Sequence, residues 1–163
     1  MRLNVPIIVK VVYLILSLSF LLLLMYDYND YSLRVYSIKH LKVEVKGIDV
    51  YVENHDFFLN LTYSLSNGGV KCLEVSMITY KTYFGSEVAR VYNENFYGSL
   101  LVVKPSQKLL RTIIVKVPGF KLKRNLVNGT VRVSILFNVY IRTRFGNTPV
   151  SFQCVKILNF SKP

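Results

Sequence analysis

Two histidines, two cysteines and nine carboxylates are the side chains of this 163-residue sequence from which catalysis or metal binding would have to be built. His40 and His55 do not stand in the His-x-x-x-His spacing that puts two imidazoles on one helical face for zinc. Asp56 follows His55 and could orient its ring. No Gly-x-Ser-x-Gly elbow or other activated nucleophile accompanies the pair, however. His55-Asp56 therefore reads as a polar loop ahead of a strand. Two Cys and two His fall short of a four-ligand zinc site unless carboxylates join them. There is no glycine-rich cradle for phosphate either. The sequence predicts no catalytic residue, no metal, no cofactor and no enzyme.

Charge is the more specific signal. The formal net charge is +12, from 21 Lys and Arg against 9 Asp and Glu. Every acid lies at or before Glu94, and beyond it come twelve bases and no acid. Arg132, Arg142 and Arg144 share the parity of one strand face. Lys121-Leu122-Lys123-Arg124 reads as a loop that extends the patch. A basic face of Lys121, Lys123, Arg124, Arg132, Arg142 and Arg144 would attract an anionic glycan, a lipid headgroup or an acidic protein partner. The alternative is a solvated surface with no partner. Nucleic acid is not expected, because the aromatic-on-sheet motifs of RNA-binding domains are missing.

The elements that must carry these residues begin with a membrane segment. Mean hydropathy is +0.33, high for a soluble domain. From Ile7 to Tyr26 the chain is apolar except for Lys10. At ~1.5 Å per residue this is a helix about 30 Å long, the thickness of a hydrocarbon core. Lys10 can reach back to the interface, and Pro6 suits a helix start. A cleaved signal peptide is the alternative, but Tyr26-Asp27-Tyr28-Asn29-Asp30 follows the stretch with no small-x-small cleavage pattern. Arg2 and Lys10 precede the span and Asp27 and Asp30 follow it. The positive-inside rule then puts the N-terminus in the cytoplasm and the remainder outside. The expected organisation is a cytoplasmic N-terminus at 1–6, a transmembrane helix at 7–26, a connector at 27–40 and an external domain at 41–163.

That domain reads as all-β. From Leu41 the dominant period is two, the mark of half-buried strands. Leu41, Val43 and Val45 alternate with charged residues up to Gly47, and Ile48, Val50 and Val52 form a second run. Phe57 to Leu65 form a third run, which stops at Asn67-Gly68-Gly69. Val131, Val133, Ile135, Phe137, Val139 and Ile141 make the clearest strand. Asn128-Gly129 precedes it and the turn residues Phe145 to Pro149 follow. Val150 to Leu158 would return as its hairpin partner. Several short strands with turn signals predict an immunoglobulin/fibronectin-III-like β-sandwich preceded by a single N-terminal transmembrane helix.

The stretch LTYSLSNGGVKCLEVSMITYKTYFGSEVARVYN, residues 61 to 93, resembles the late-embryogenesis-abundant β-sandwich family, also called the water-stress and hypersensitive-response domain. Leu65-Ser66-Asn67, Leu73-Glu74-Val75, Phe84-Gly85-Ser86 and Val88-Ala89 correspond to its strand and turn elements. A second block, Leu101 to Ser106 and then Ile113 to Pro118, is similar to the family's paired apolar strands around Pro-Ser. Asn128 to Ile141 looks like its penultimate strand. Gly68 stands where the family prefers proline, a change that remains compatible with a turn. The resemblance spans residues 41–158. It implies a sandwich of about seven strands without known enzymatic chemistry, in a family some of whose members carry an N-terminal membrane helix.

In an external compartment the even cysteine count favours a Cys72–Cys154 disulfide. Such a bond would contribute ~4 kcal/mol in the chain-entropy model. Two separate core cysteines are the other reading. Three sequons, at Asn60, Asn128 and Asn159, suit glycosylation outside the cell. The expected role is non-enzymatic: a membrane-anchored envelope module of late-embryogenesis-abundant type, binding or structural and protective under stress, acting through its basic face. The alternative is an accessory subunit of a larger membrane complex or of a surface filament, and the oligomeric state is left open.

Overall fold

The computed structural model describes residues 5–54 and 56–159. It consists of a long helix α1 (Val5–Lys39) followed by β1 (Leu41–Glu53), β2 (Asp56–Asn67), β3 (Leu73–Phe84), β4 (Glu87–Asn95) and β5 (Leu101–Val103). Then come β6 (Lys108–Val117), a short helix α2 (Gly119–Arg124), β7 (Thr130–Thr143) and β8 (Gly146–Asn159). All pairings are antiparallel. One sheet has the order β1-β2-β6 and the other β4-β3-β7-β8, with β5 added on β3.

The period-two pattern explains the layering. Leu59, Leu61, Tyr63 and Leu65 on β2 are buried, as are Val131, Val133, Ile135, Phe137, Val139 and Ile141 on β7. Together with Val75, Ile78, Tyr80 and Phe84 of β3 they form one core between the sheets. Aromatic rings bridge the two layers: Tyr63 lies 5.6 Å from Tyr80 and 5.3 Å from Phe137, centroid to centroid. A closely packed layer of this kind is what makes the alternating sequence stable as two facing sheets.

Four local readings change. The two runs on either side of Gly47 are one strand, β1, with a register shift between Val45 and Gly47. The apolar parity switches there from odd to even, and one extra residue in a β-bulge does just that. The stretch 27–40 is no separate linker, since α1 continues unbroken to Lys39. Lys121-Leu122-Lys123-Arg124 is not a loop but most of α2, whose Leu122 is buried against the core. The residues 145–149 are not all turn: β8 begins at Gly146 (φ 112°), and Pro149 sits within it opposite Tyr140. Proline is tolerated there because β8 is an edge strand.

Candidate functional site

At about 1.5 Å per residue the 35 residues of α1 span roughly 52 Å. The part from Ile7 through Tyr26 is exposed throughout. One segment of α1 is long and apolar enough to cross a membrane. Beyond it the helix docks on the end of the sandwich, where its most buried side chain is polar and Ile38 packs against the core beside it. Ser37, fully buried, donates its hydroxyl to the Leu33 carbonyl at 2.9 Å and accepts from the Val70 and Lys71 amides at 3.0 and 2.9 Å. Gly69 lies so close that a Cβ there would fall 2.3 Å from the Ser37 Cα. Asp30 binds Arg34 at 3.0 Å and Lys71 at 2.8 Å. Arg144, in the β7–β8 turn, donates to Asp27 at 3.0 Å.

Asn67 holds the receiving loop in shape. Its buried side chain donates to the Lys71 and Val103 carbonyls, at 2.8 and 3.0 Å, and accepts from the Gly69 amide at 2.9 Å. This satisfies the side chain while tying the 68–71 loop to β5. Asn67 is also where the sequence resemblance placed the end of a strand. Here the motif residue is the keystone of the helix socket.

The most chemically suggestive interior cluster links both sheets. The Tyr63 and Tyr80 hydroxyls lie 2.6 Å apart, and Tyr80 donates to Glu94 at 2.6 Å. Glu94 in turn pairs with Arg111, whose guanidinium lies over the Phe96 ring at 5.3 Å. Burial pushes the Tyr63 phenol up to about 12, against a weaker opposing effect of its bond to Tyr80. Burial raises Tyr80 further still, reinforced by the neighbouring Tyr63. Both phenols are thereby held neutral at ordinary pH. The arrangement is a clamp between β2, β3, β4 and β6, with every carboxylate oxygen of Glu94 engaged by the protein itself.

The expected basic face divides in two. Arg132 and Arg142 are both exposed on β7 but ten residues apart, about 33 Å at roughly 3.3 Å per residue. Lys121, Lys123, Arg124 and Arg132 gather at the end remote from α1, around α2; the Arg132 carbonyl there accepts from the Gly85 amide. Lys121 is partly engaged, bonding the Val88 carbonyl at 2.6 Å with Glu87 3.8 Å away. Arg142 and Arg144 stand at the helix end. Strand alternation revealed their shared parity but not the length of the strand between them.

The expected disulfide is not formed: Cys72 and Cys154 are both free. Cys154 pairs with Ile135 midway along the sheet, whereas Cys72 precedes the Val75–Ile141 level by three residues. That is roughly nine residue steps, about 30 Å, where a disulfide needs Cα atoms within about 7 Å. Among the sequons, Asn128 lies in an exposed turn and Asn159 at the exposed end of β8. Asn60 is mid-strand in the central strand of its sheet, its Oδ1 buried, so it lacks the surface-loop setting of an acceptor. His40 stacks on Tyr36 at 3.9 Å and bonds the Tyr36 carbonyl at the helix end. His55 lies outside the described residues; Asp56 begins β2 and pairs with Lys116. Among the described residues no three His, Cys, Asp or Glu side chains cluster as metal ligands.

No family model and no curated protein matches the sequence. Solved structures do match in shape. A protein from Arabidopsis thaliana is similar at 14% identity, with 72% of this chain and 80% of that one covered and a TM-score of 0.60. A protein described as late embryogenesis abundant (LEA) is similar at 12% identity over 93% of this chain and 88% of its own, with a TM-score of 0.56. A protein from Archaeoglobus fulgidus is similar at 13% identity over 76% and 97%, with a TM-score of 0.50. At such identities the likeness is one of fold: the β domain has an LEA-like fold.

Proposed function

We propose that this chain is a membrane-anchored, non-enzymatic binding or structural module of late-embryogenesis-abundant type, protective under stress, held at the bilayer surface by α1. The observation that carries this reading is the continuity of α1. One unbroken helix passes from an apolar stretch of bilayer length into a hydrogen-bonded socket on an LEA-like domain. Arg2 and Lys10 ahead of the span and Asp27 and Asp30 behind it favour a cytoplasmic N-terminus and an external β domain. The strand order, β1-β2-β6 over β4-β3-β7-β8, supports the immunoglobulin/fibronectin-III-like form of the sandwich. The partly buried ionisable groups Glu94 and Arg111 bridge the two sheets, which supports a structural over a catalytic use of them.

The mechanism is charge complementarity at the end remote from α1. Lys121, Lys123, Arg124 and Arg132 stand there with the exposed Phe120, a surface suited to an anionic glycan or an acidic protein. The test uses the full chain in neutral-lipid nanodiscs and a sulfated glycan at low salt. Replacing those four bases by Gln should abolish binding, and replacing Arg142 and Arg144 should leave it. Binding that survives the fourfold change overturns the charge mechanism.

A second reading, a subunit of a larger membrane complex or surface filament, is favoured by β8. Among the described residues no strand pairs with the outer side of this 14-residue edge strand, which exposes Val155 and Ile157. Edges of this length are templates for pairing with another chain. A stoichiometric complex on mild-detergent extraction would favour this reading over the tethered module.

A further inference from the structure

Phe145, at the tip of the β7–β8 turn, is 86% exposed, more than any other large apolar side chain described. A phenyl ring so placed is unfavourable in water, and its height along α1 is fixed. Its neighbour Arg144 bonds Asp27 at 3.0 Å, and its ring meets Tyr31 edge-on at 6.1 Å. Asp27 is the first residue after the apolar stretch, and Tyr31 is about one helical turn, ~5.4 Å, further on. The layer of headgroups on each side of a bilayer is about 5–8 Å deep. A span at Ile7–Tyr26 therefore sets the Phe145 ring inside that layer, beside Tyr26, Tyr28 and Tyr31, in the belt where aromatic side chains concentrate.

A cleft of about 330 Å³ opens next to it, between α1 and the β7–β8 hairpin. Its walls are mainly apolar, from Tyr31, Val35, Ile38 and Phe145, and its polar rim carries Arg34, Lys39 and Arg144. The two acids at the rim are already paired, Asp27 with Arg144 and Asp30 with Arg34 and Lys71. Arg34 and Arg144 are the partners of those acids, so the surplus base in the lining is Lys39, beside the apolar wall. Such a site matches a phosphate-bearing headgroup with the first methylenes of its chains.

We infer that the β7–β8 turn is a second membrane foothold: Phe145 inserts at the headgroup level, and the cleft behind it seats the headgroup of an adjacent phospholipid. The inference rests on the anchored reading of α1. Two footholds do what one helix cannot, since a lone helix leaves its own tilt, and with it the tilt of the domain docked on it, free. With Phe145 also in the interface, the sandwich stands in one orientation and the basic end around α2 points away from the lipid.

The chain contains no tryptophan, so single replacements give unambiguous probes. Full-length Phe145→Trp, Leu16→Trp and Phe120→Trp variants are reconstituted in phosphatidylcholine/phosphatidylglycerol nanodiscs. Bromine is carried either high on the acyl chains or at their ends. Phe145→Trp should emit to the blue of Phe120→Trp and be quenched mainly by the high bromines. Leu16→Trp should be quenched by the chain-end bromines, and Phe120→Trp by neither. If Leu16→Trp is quenched while Phe145→Trp behaves like Phe120→Trp, the foothold is wrong and the anchor stands. A blue-shifted Phe145→Trp that no bromine quenches also overturns the foothold, because protein rather than lipid then covers it. If Leu16→Trp escapes quenching, the anchored reading fails and the foothold with it.

Discussion

The two halves of α1 belong to one continuous helix yet meet their surroundings by opposite means. From Ile7 to Tyr26 it is bare, apolar but for Lys10 and two serines, and exposed throughout among the described residues. From Asp30 to Lys39 it packs on the sandwich, and its most deeply buried side chain is a serine. The first half is selected by transfer free energy, which is non-directional and needs only length. The second is selected by hydrogen-bond geometry, which is directional and needs Ser37, Gly69 and Asp30 in one arrangement. One helix can thus carry a stretch long and apolar enough to cross a membrane at one end and a socket specific for one protein surface at the other.

The sharpest way to break this comparison is a charge in the bare half. Leu16→Arg at the centre of the stretch should disfavour insertion by about 3 kcal/mol. The expected outcome is a shift of the chain from the membrane fraction to the alkaline-carbonate supernatant, with the β-sheet circular dichroism of the domain retained. Membrane retention equal to that of the unaltered chain would mean that something other than the apolar stretch holds it.

A second measurement separates the halves by pH. Tyr63 and Tyr80 have folded-state values raised above that of an unfolded tyrosine, near 10. Below that value both states keep the proton, so stability is full and independent of these groups. As pH rises past it, the unfolded chain releases protons that the folded one retains, and stability falls. At pH 11 the loss is about 1.4 kcal/mol for each phenol, roughly 2.8 for the two. In detergent micelles the denaturant midpoint of the sheet signal should fall between pH 9 and 11, while the helical signal of the bare half persists. A sheet signal and midpoint in denaturant unchanged between pH 9 and 11 would mean that the Tyr63–Tyr80 clamp is not buried as described.

How much of this was readable beforehand follows the same divide. Non-directional burial leaves a periodic trace, so the apolar stretch, the alternation of β2 and β7 and the two-layer architecture were all legible. Even the β1 bulge left one, in the parity change at Gly47. Directional contacts leave none. The docked half of α1 carries only a short apolar row, Tyr31, Val35 and Ile38, and the contacts of Asp30 and Ser37 beside it leave no period. α2 has six residues, too few for a period. Tyr63, Tyr80, Glu94 and Arg111 sit on four strands and meet only after folding. Lys123, Arg124, Arg132, Arg142 and Arg144 are exposed and Lys121 is half-buried, but the length of β7 that parts them is a matter of three dimensions, as is the separation of Cys72 from Cys154.

The smallest of the expected effects tests the docked half most directly. Ser37→Ala removes one acceptor from two amides, Val70 and Lys71, and leaves them facing a methyl group in a buried socket. Unmatched buried donors of this kind cost about 1–3 kcal/mol, so a loss near 2 kcal/mol is expected. The bare half should be unaffected: membrane association stays intact and the sheet signal is unchanged at neutral pH. What should change is amide hydrogen exchange, faster over residues 33–39 and 68–71 and unaltered in the β2 and β7 core. Ser37→Thr keeps the hydroxyl but adds a methyl where Gly69 already touches the helix, so it should not restore protection. Ser37→Thr paired with full protection would show that the close approach of Gly69 is dispensable and that the hydroxyl alone seats the helix. Ser37→Ala with full protection would show the reverse, a helix held by shape and the Asp30 ion pairs, and the directional half of the comparison would fall.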